Sequence, residues 1–168
     1  VKVLLDAVVS RALHKKVSPY GKDPRAVENL GSYGYYLEHL NIILGCYQSA
    51  VDDAYLDLNL RVTEHLLDAS MAEDNCHAPL LPNVRMRWSA DQAAIIYSIW
   101  LYDQNNGTSL ANELRDKWRS YMESRMRDHG TGLYMTEVMG VKRYSKPVSY
   151  THLRAHETLM NLVCRLLL

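Results

Sequence analysis

The chain has 168 residues, enough for one domain with a sizeable core. Its 19 basic and 19 acidic residues cancel, so neither a nucleic-acid partner nor an anionic membrane surface is expected. No apolar run reaches the length of a membrane span, and three cysteines at 46, 76 and 164 form no CxxC pair, so no disulfide framework is implied. The first residue is Val1 rather than Met. The natural start is therefore expected upstream, which leaves the compartment open.

Residues 1 to about 16 read as a first helix, with Leu4, Leu5, Val8 and Ala12 on one stripe. Lys15 and Lys16 stand at its C-terminal end, where cations suit the helix dipole. "VSPYGKDPRAVENLGS" is rich in Pro, Gly and Asp and reads as a loop. "YYLEHLNIILGCYQ" is apolar nearly all round, which predicts a buried helix. A third helix around 53–72 is amphipathic, with Leu56, Leu60, Thr63, Leu67 and Met71 on one side.

The long loop "EDNCHAPLLPNVRMRW" follows. Ser89 and Gln92 in "SADQ" form a candidate capping box for the helix "ADQAAIIYSIWLYD", again apolar on most faces and stopped by "NNG". A fifth helix, about 110–127, places Leu110, Leu114, Trp118, Tyr121 and Met122 on one stripe. "GLYMTEVMGVKRYS" alternates around Met139-Gly140 and predicts a short β-hairpin over 132–145. Helices with a wet face thus alternate with helices buried all round. That rhythm predicts an all-α αα-hairpin array, toroid or solenoid, although a plain bundle could imitate it.

After Lys146 the character changes. "VSYTHLRAHET" and "LVCRLLL", separated by Leu159-Met160-Asn161, look like translated sequencing-library adapter around a variable index. The likeness covers 148–168, and such segments are set aside from fold reasoning. His152 and His156 have the i, i+4 spacing of a zinc site, but they fall in this stretch, as does Cys164. No metal site is predicted. The expected division is an incomplete domain at 1–146, cut at both ends, and a non-native tail at 147–168.

The body resembles the linalool dehydratase/isomerase family. The likeness rests on Glu28-Asn29, on "YLEHLN" from Tyr36 to Asn41 with Tyr47-Gln48, and on Trp100, Tyr102-Asp103 and Gly107-Thr108. It implies an (α/α)6 toroid, of which less than half is present. It implies cofactor-free addition or removal of water and double-bond migration on a small terpenoid alcohol. It also implies homo-oligomers with sites near subunit contacts. The family's active-site histidine falls on His39. Its two cavity cysteines have no counterpart in "LLPNVRMRWSADQ", and Cys76 aligns with neither. Asp91 stands roughly where the later one would enter. A carboxylate is not a thiol, so the resemblance does not extend to linalool itself.

The candidate catalytic residues are His39 and Asp91, with Tyr33, Tyr35, Tyr36 and Trp88 as candidate substrate contacts. If the two inner helices run the same way, these groups gather at one mouth, where an acid, an imidazole and phenols suit proton transfer on a small alcohol. Bland readings exist for each. His39 could be an inert core histidine, and Asp91 could serve only the helix dipole. Glu28 and Asn29 read as loop caps, Arg85 and Arg87 as a solvated loop, and Glu137 as either exposed or cavity-facing. Glu38 lies about 100° round the helix from His39 and is expected to face outward.

Three functions compete. The first is a cofactor-free lyase or isomerase. The second is a carbohydrate-active (α/α)6 enzyme, using Asp91 with Glu28 or an absent residue as its paired carboxylates. The third is a non-catalytic helical scaffold. The fragment itself is expected to be inactive, because half a toroid leaves its inner helices uncovered.

Overall fold

A computed structural model of the chain describes residues 1–16, 21–139 and the backbone of 142–143. Gly140 of the predicted hairpin turn lies outside the described residues. So does the tail from 147 on, with His152, His156 and Cys164.

The elements in order are α1 (Lys2–Ala12), a 3₁₀ turn (Val27–Leu30), α2 (Gly34–Ala50), α3 (Leu56–Met71), β1 (Met86–Trp88), α4 (Ser89–Asn106), α5 (Ala111–Tyr121) running into a π-turn (Met122–Met126), β2 (Glu137–Met139) and β3 (Lys142–Arg143). The fold is all-α with a small antiparallel sheet. No helix among the described residues is long and apolar enough to cross a membrane.

The helix directions follow from their cross-links. Tyr47 near the end of α2 bonds Lys2 and Asp6 near the start of α1, while Tyr36 near the start of α2 donates to Ala12 O at 2.8 Å. Those two helices are therefore antiparallel. Between α2 and α4 the links climb together: Asn41 to Ser98, Gly45 against Leu101, Gln48 to Asn106. The two inner helices are parallel. α3 runs against both, since Asn59 and Thr63 meet Asn41 while Ser70 meets Gln92. α2 and α4 form the inner layer and the other three helices flank them, as the alternation of wet and dry helices predicts.

Polar residues shift the buried faces away from the apolar stripes read in the sequence. In α3 the fully buried positions are Leu58, Asn59, Val62, Thr63, Leu66 and Ser70, whereas Leu56, Leu60, Leu67 and Met71 sit at the edges. Asn41 explains the rotation. Its amide donates to Thr63 Oγ1 and Ser98 Oγ, both at 3.0 Å, and its carbonyl accepts from Asn59 at 2.6 Å. Turning inward lets these polar groups satisfy one another in a dry layer. In α1 the covered seam is Leu5 and Val9, continued by Leu13 at its C-terminal cap, and Leu4 and Val8 face solvent. That helix packs chiefly on α2, so only a narrow seam is covered. It also stops at Ala12, short of the predicted 16.

The ends of the inner helices are held by backbone and by one carboxylate. Gly34 N–H and Tyr35 N–H, two of the orphan donors of α2, bond Pro79 O at 3.0 Å and Leu80 O at 3.2 Å. No side chain caps α4, so the predicted Ser89/Gln92 capping box does not form. Gln92 turns instead to Ser70 Oγ at 3.1 Å and accepts from Ala78 N–H at 2.9 Å. The predicted stop at "NNG" is present: Gly107 has φ 67°, a conformation that favours glycine, and its N–H bonds Asp103 O at 2.8 Å. Buried Asp103 then accepts from Leu110 N–H and Ala111 N–H, both at 2.9 Å, and so caps α5.

The hairpin pairs Met139 with Lys142 and Val138 with Arg143. The sequence reading left 86–88 in a loop, but β1 adds a third strand, pairing Met86 with Met139 and Trp88 with Glu137. Val138 is buried with Met122 and Met126 of the π-turn in a small second core.

Candidate acid–histidine site at the start of the inner helices

Parallel inner helices bring the first turns of α2 and α4 to the same end of the layer. Three ionisable groups meet there. Glu38 is buried, 1% exposed, and its Oε1 lies 3.4 Å from Nδ1 of His39. Asp91, in the first turn of α4 and half-buried, acts on Glu38 by charge and by hydrogen bond. Burial, then the Asp91 charge, pushes the Glu38 carboxyl from its ordinary 4.5 up to about 10. Among the described residues Glu38 Oε2 has no hydrogen-bond partner in the unprotonated geometry. Acceptor faces acceptor until one carboxyl is protonated, and a protonated Glu38 can donate to Asp91.

The outward orientation expected for Glu38 is therefore wrong. A step of 100° from His39 is correct for a helix, but α2 is covered on that side by α4. The signal was in the sequence: along "GYYLEHLNIILGCYQSA" Glu38 is the only acid, on a helix with almost no wet side.

His39 does not lie in packed core, since its side chain is 48% exposed. Its Nδ1–H donates to Tyr35 O at 2.7 Å, which fixes the tautomer and leaves Nε2 as the acceptor. His39 also lines an open groove of about 470 Å³ between α1 and α2, with Val8, Ala12, Tyr36, Leu40 and Ile43 as apolar walls.

The other sequence candidates separate. Tyr35 stays beside His39, with ring centroids 4.9 Å apart. Tyr36 turns toward α1 and ties its hydroxyl to Ala12 O, and burial pushes that phenol up to about 12. Tyr33 is buried in the main core. Trp88 on β1 is half-buried and donates its indole N–H to Glu137 Oε1 at 3.1 Å, so Glu137 is engaged by the sheet. Glu28 is exposed and acts on His65 of α3. Arg87 is not a solvated loop residue: its side chain is 12% exposed and pairs with Glu73 at 3.7 Å.

On the side of the inner pair that no described helix covers, Tyr35, His39, Ile42 and Cys46 follow one another along α2 at helical spacing. Ala93, Tyr97 and Trp100 do so along α4, and the Tyr97 and Trp100 rings lie 5.6 Å apart. The inner layer therefore presents an aromatic and aliphatic wall with His39 near one end.

A second cluster, around His77, was not singled out in the sequence. His77 is 1% exposed. Its Nδ1–H donates to Asn75 O at 2.6 Å, and its Nε2 accepts from the Trp118 indole at 3.2 Å. Ser89 Oγ lies 3.4 Å from the same Nε2, a spacing reminiscent of a nucleophile and its base. The indole already occupies that lone pair, and burial lowers the imidazole from 6.5 to about 4. The cluster therefore pins the 72–88 loop and does not act as a base. Cys76 beside it has φ 54°, a left-handed backbone held by this packing.

No protein-family model matches the chain, and no curated protein matches it.

Proposed function

We propose that the chain is part of a cofactor-free lyase or isomerase that adds or removes water, or moves a double bond, on a small and mostly apolar alcohol such as a terpenoid. The complete domain would be an (α/α)6 toroid with α2 and α4 in its inner ring. The observation that carries this reading is the meeting of Asp91, Glu38 and His39 at one end of the apolar inner wall. In such a reaction the acid protonates the leaving hydroxyl while the base takes a proton from the neighbouring carbon. His39, exposed and with Nε2 as acceptor, has the form of the base. Asp91, half-buried beside a carboxyl that stays protonated at neutral pH, has access to a proton.

Glycoside hydrolysis fits less well. Its two carboxyls stand about 5 Å or more apart across the sugar. Glu38 and Asp91 are within hydrogen-bond reach of each other, and Glu28 is exposed and acts by charge on His65 of α3. A purely structural scaffold would place His39 in packed core, and its side chain is half exposed.

The test continues the natural reading frame beyond residue 146 and incubates the complete protein with a panel of allylic and tertiary alcohols, without added cofactor. Products are separated by gas chromatography. Alkene or isomerised alcohol is expected, with His39→Ala and Asp91→Asn each slowing turnover by about 100-fold or more. Release of sugar from glycosides with no alcohol turnover refutes the reading.

A further inference from the structure

The acid–base reading uses Asp91 and His39 and leaves Glu38, the group between them, without a part. Glu38 is sealed from water, yet its Oε2 meets no donor among the described residues. Among the described residues the titratable groups that meet it are Asp91 from α4 and His39 from its own helix, and no lysine or arginine is among the groups acting on it. A buried ion with no cation and no donor is costly, and two carboxyls in contact are relieved by a proton between them. The other oxygen, Oε1, lies 3.4 Å from Nδ1 of His39. One carboxyl thus touches both the acid and the base.

We infer that Glu38 is a proton relay between Asp91 and His39, holding one proton with the aspartate and recovering it from the histidine in each turnover. The inference rests on the proposed function. In the water-removing direction Glu38 passes its proton to Asp91, which protonates the substrate hydroxyl. The C–O bond breaks and water leaves. Nε2 of His39 takes a proton from the adjacent carbon, and the C–H electron pair becomes the double bond. The imidazolium Nδ1–H, held by Tyr35 O at 2.7 Å with Glu38 Oε1 at 3.4 Å beside it, swings from the carbonyl to that oxygen and gives up its proton, which restores the carboxyl pair. Water at the half-exposed ring resets the imidazole tautomer. Substrate loses one water, and the three side chains end as they began. Glu38 touches no substrate and acts through its two neighbours, so it is a positioning residue.

The experiment has two arms. The first labels glutamate carboxyls with carbon-13 in this chain, assigns Glu38 by the signal lost in Glu38→Gln, and titrates from acid to alkaline pH. Glu38 is expected to keep its proton through neutral pH while the other glutamates ionise, and to release it earlier in Asp91→Asn. The second arm measures Glu38→Gln in the complete protein. Its kcat is expected to fall about 100-fold with KM held, and the alkaline limb of the pH profile to disappear. Glu38 ionising with the surface glutamates, or full kcat in Glu38→Gln with the complete protein active, overturns the relay alone. A complete protein that turns over no alcohol overturns the proposed function and the relay with it.

Discussion

Replacing Glu38 by glutamine probes the sealed carboxyl without any activity assay. In the native chain that carboxyl is held from 4.5 up to about 10 by burial and by Asp91. In the unfolded chain it returns to the ordinary range. Between those two limits the native state binds a proton that the unfolded state has released, so stability falls as pH rises. The slope is about 1.4 kcal/mol per pH unit, which amounts to about 3 kcal/mol by pH 7. Glutamine does not titrate, and its amide can donate to Asp91 as the protonated acid does. Glu38→Gln is therefore expected to match the parent near pH 4.5 and to exceed it by about 3 kcal/mol at pH 7, a large share of a small domain's stability. Urea unfolding followed by circular dichroism at several pH values reads the difference directly. His77 contributes a slope of the opposite sign below its ordinary 6.5, but it does so in both proteins and cancels in the comparison. A gap between variant and parent that does not widen with pH would refute the account of Glu38.

His77 gives a separate acid signature. Its folded value of about 4 lies below the ordinary 6.5, so the stability from burying it neutral is present above pH 6.5 and is lost as pH falls toward 4. Burial lowers His65 as well, so its loss has the same sign; in the Glu38→Gln background His77 contributes about 3 kcal/mol over the window, read as the part removed by His77→Gln, and a profile that His77→Gln leaves unchanged would contradict the buried neutral imidazole. Gly34→Ala tests the docking of the 72–88 loop. A Cβ at this position would lie 2.5 Å from Pro79 O, a backbone atom that cannot step aside. The substitution is expected to destabilise by about 1–3 kcal/mol in urea titration, although alanine is the better helix former. A stabilised Gly34→Ala protein would show that the loop does not sit on α2 as described.

Some of this was legible along the chain because its causes are local. Apolar residues on nearly every face of α2 and α4 require cover on every side, so their inner position could be read directly. The stop at Gly107 follows from one residue's backbone freedom. The hairpin followed from alternation. His39 and Asp91 were visible as ionisable groups on dry helices.

What could not be read depends on partners distant in sequence. The buried face of α3 is set by Asn41 and Ser98, which lie on other helices, so an apolar stripe counted within α3 alone misplaces it. Ser89 and Gln92 carry the residues of a capping box, but His77, Ser70 and Ala78 compete for them and win. β1 needed a strand some fifty positions later in the chain. Glu38 shows the division most plainly. Its identity, its helix and its angle from His39 were all fixed by the sequence. Whether that angle met water or another carboxylate was decided only when α4 packed parallel to α2. Periodicity assigns each residue a direction on its own helix, whereas the charge state of an acid depends on what another helix brings to that direction.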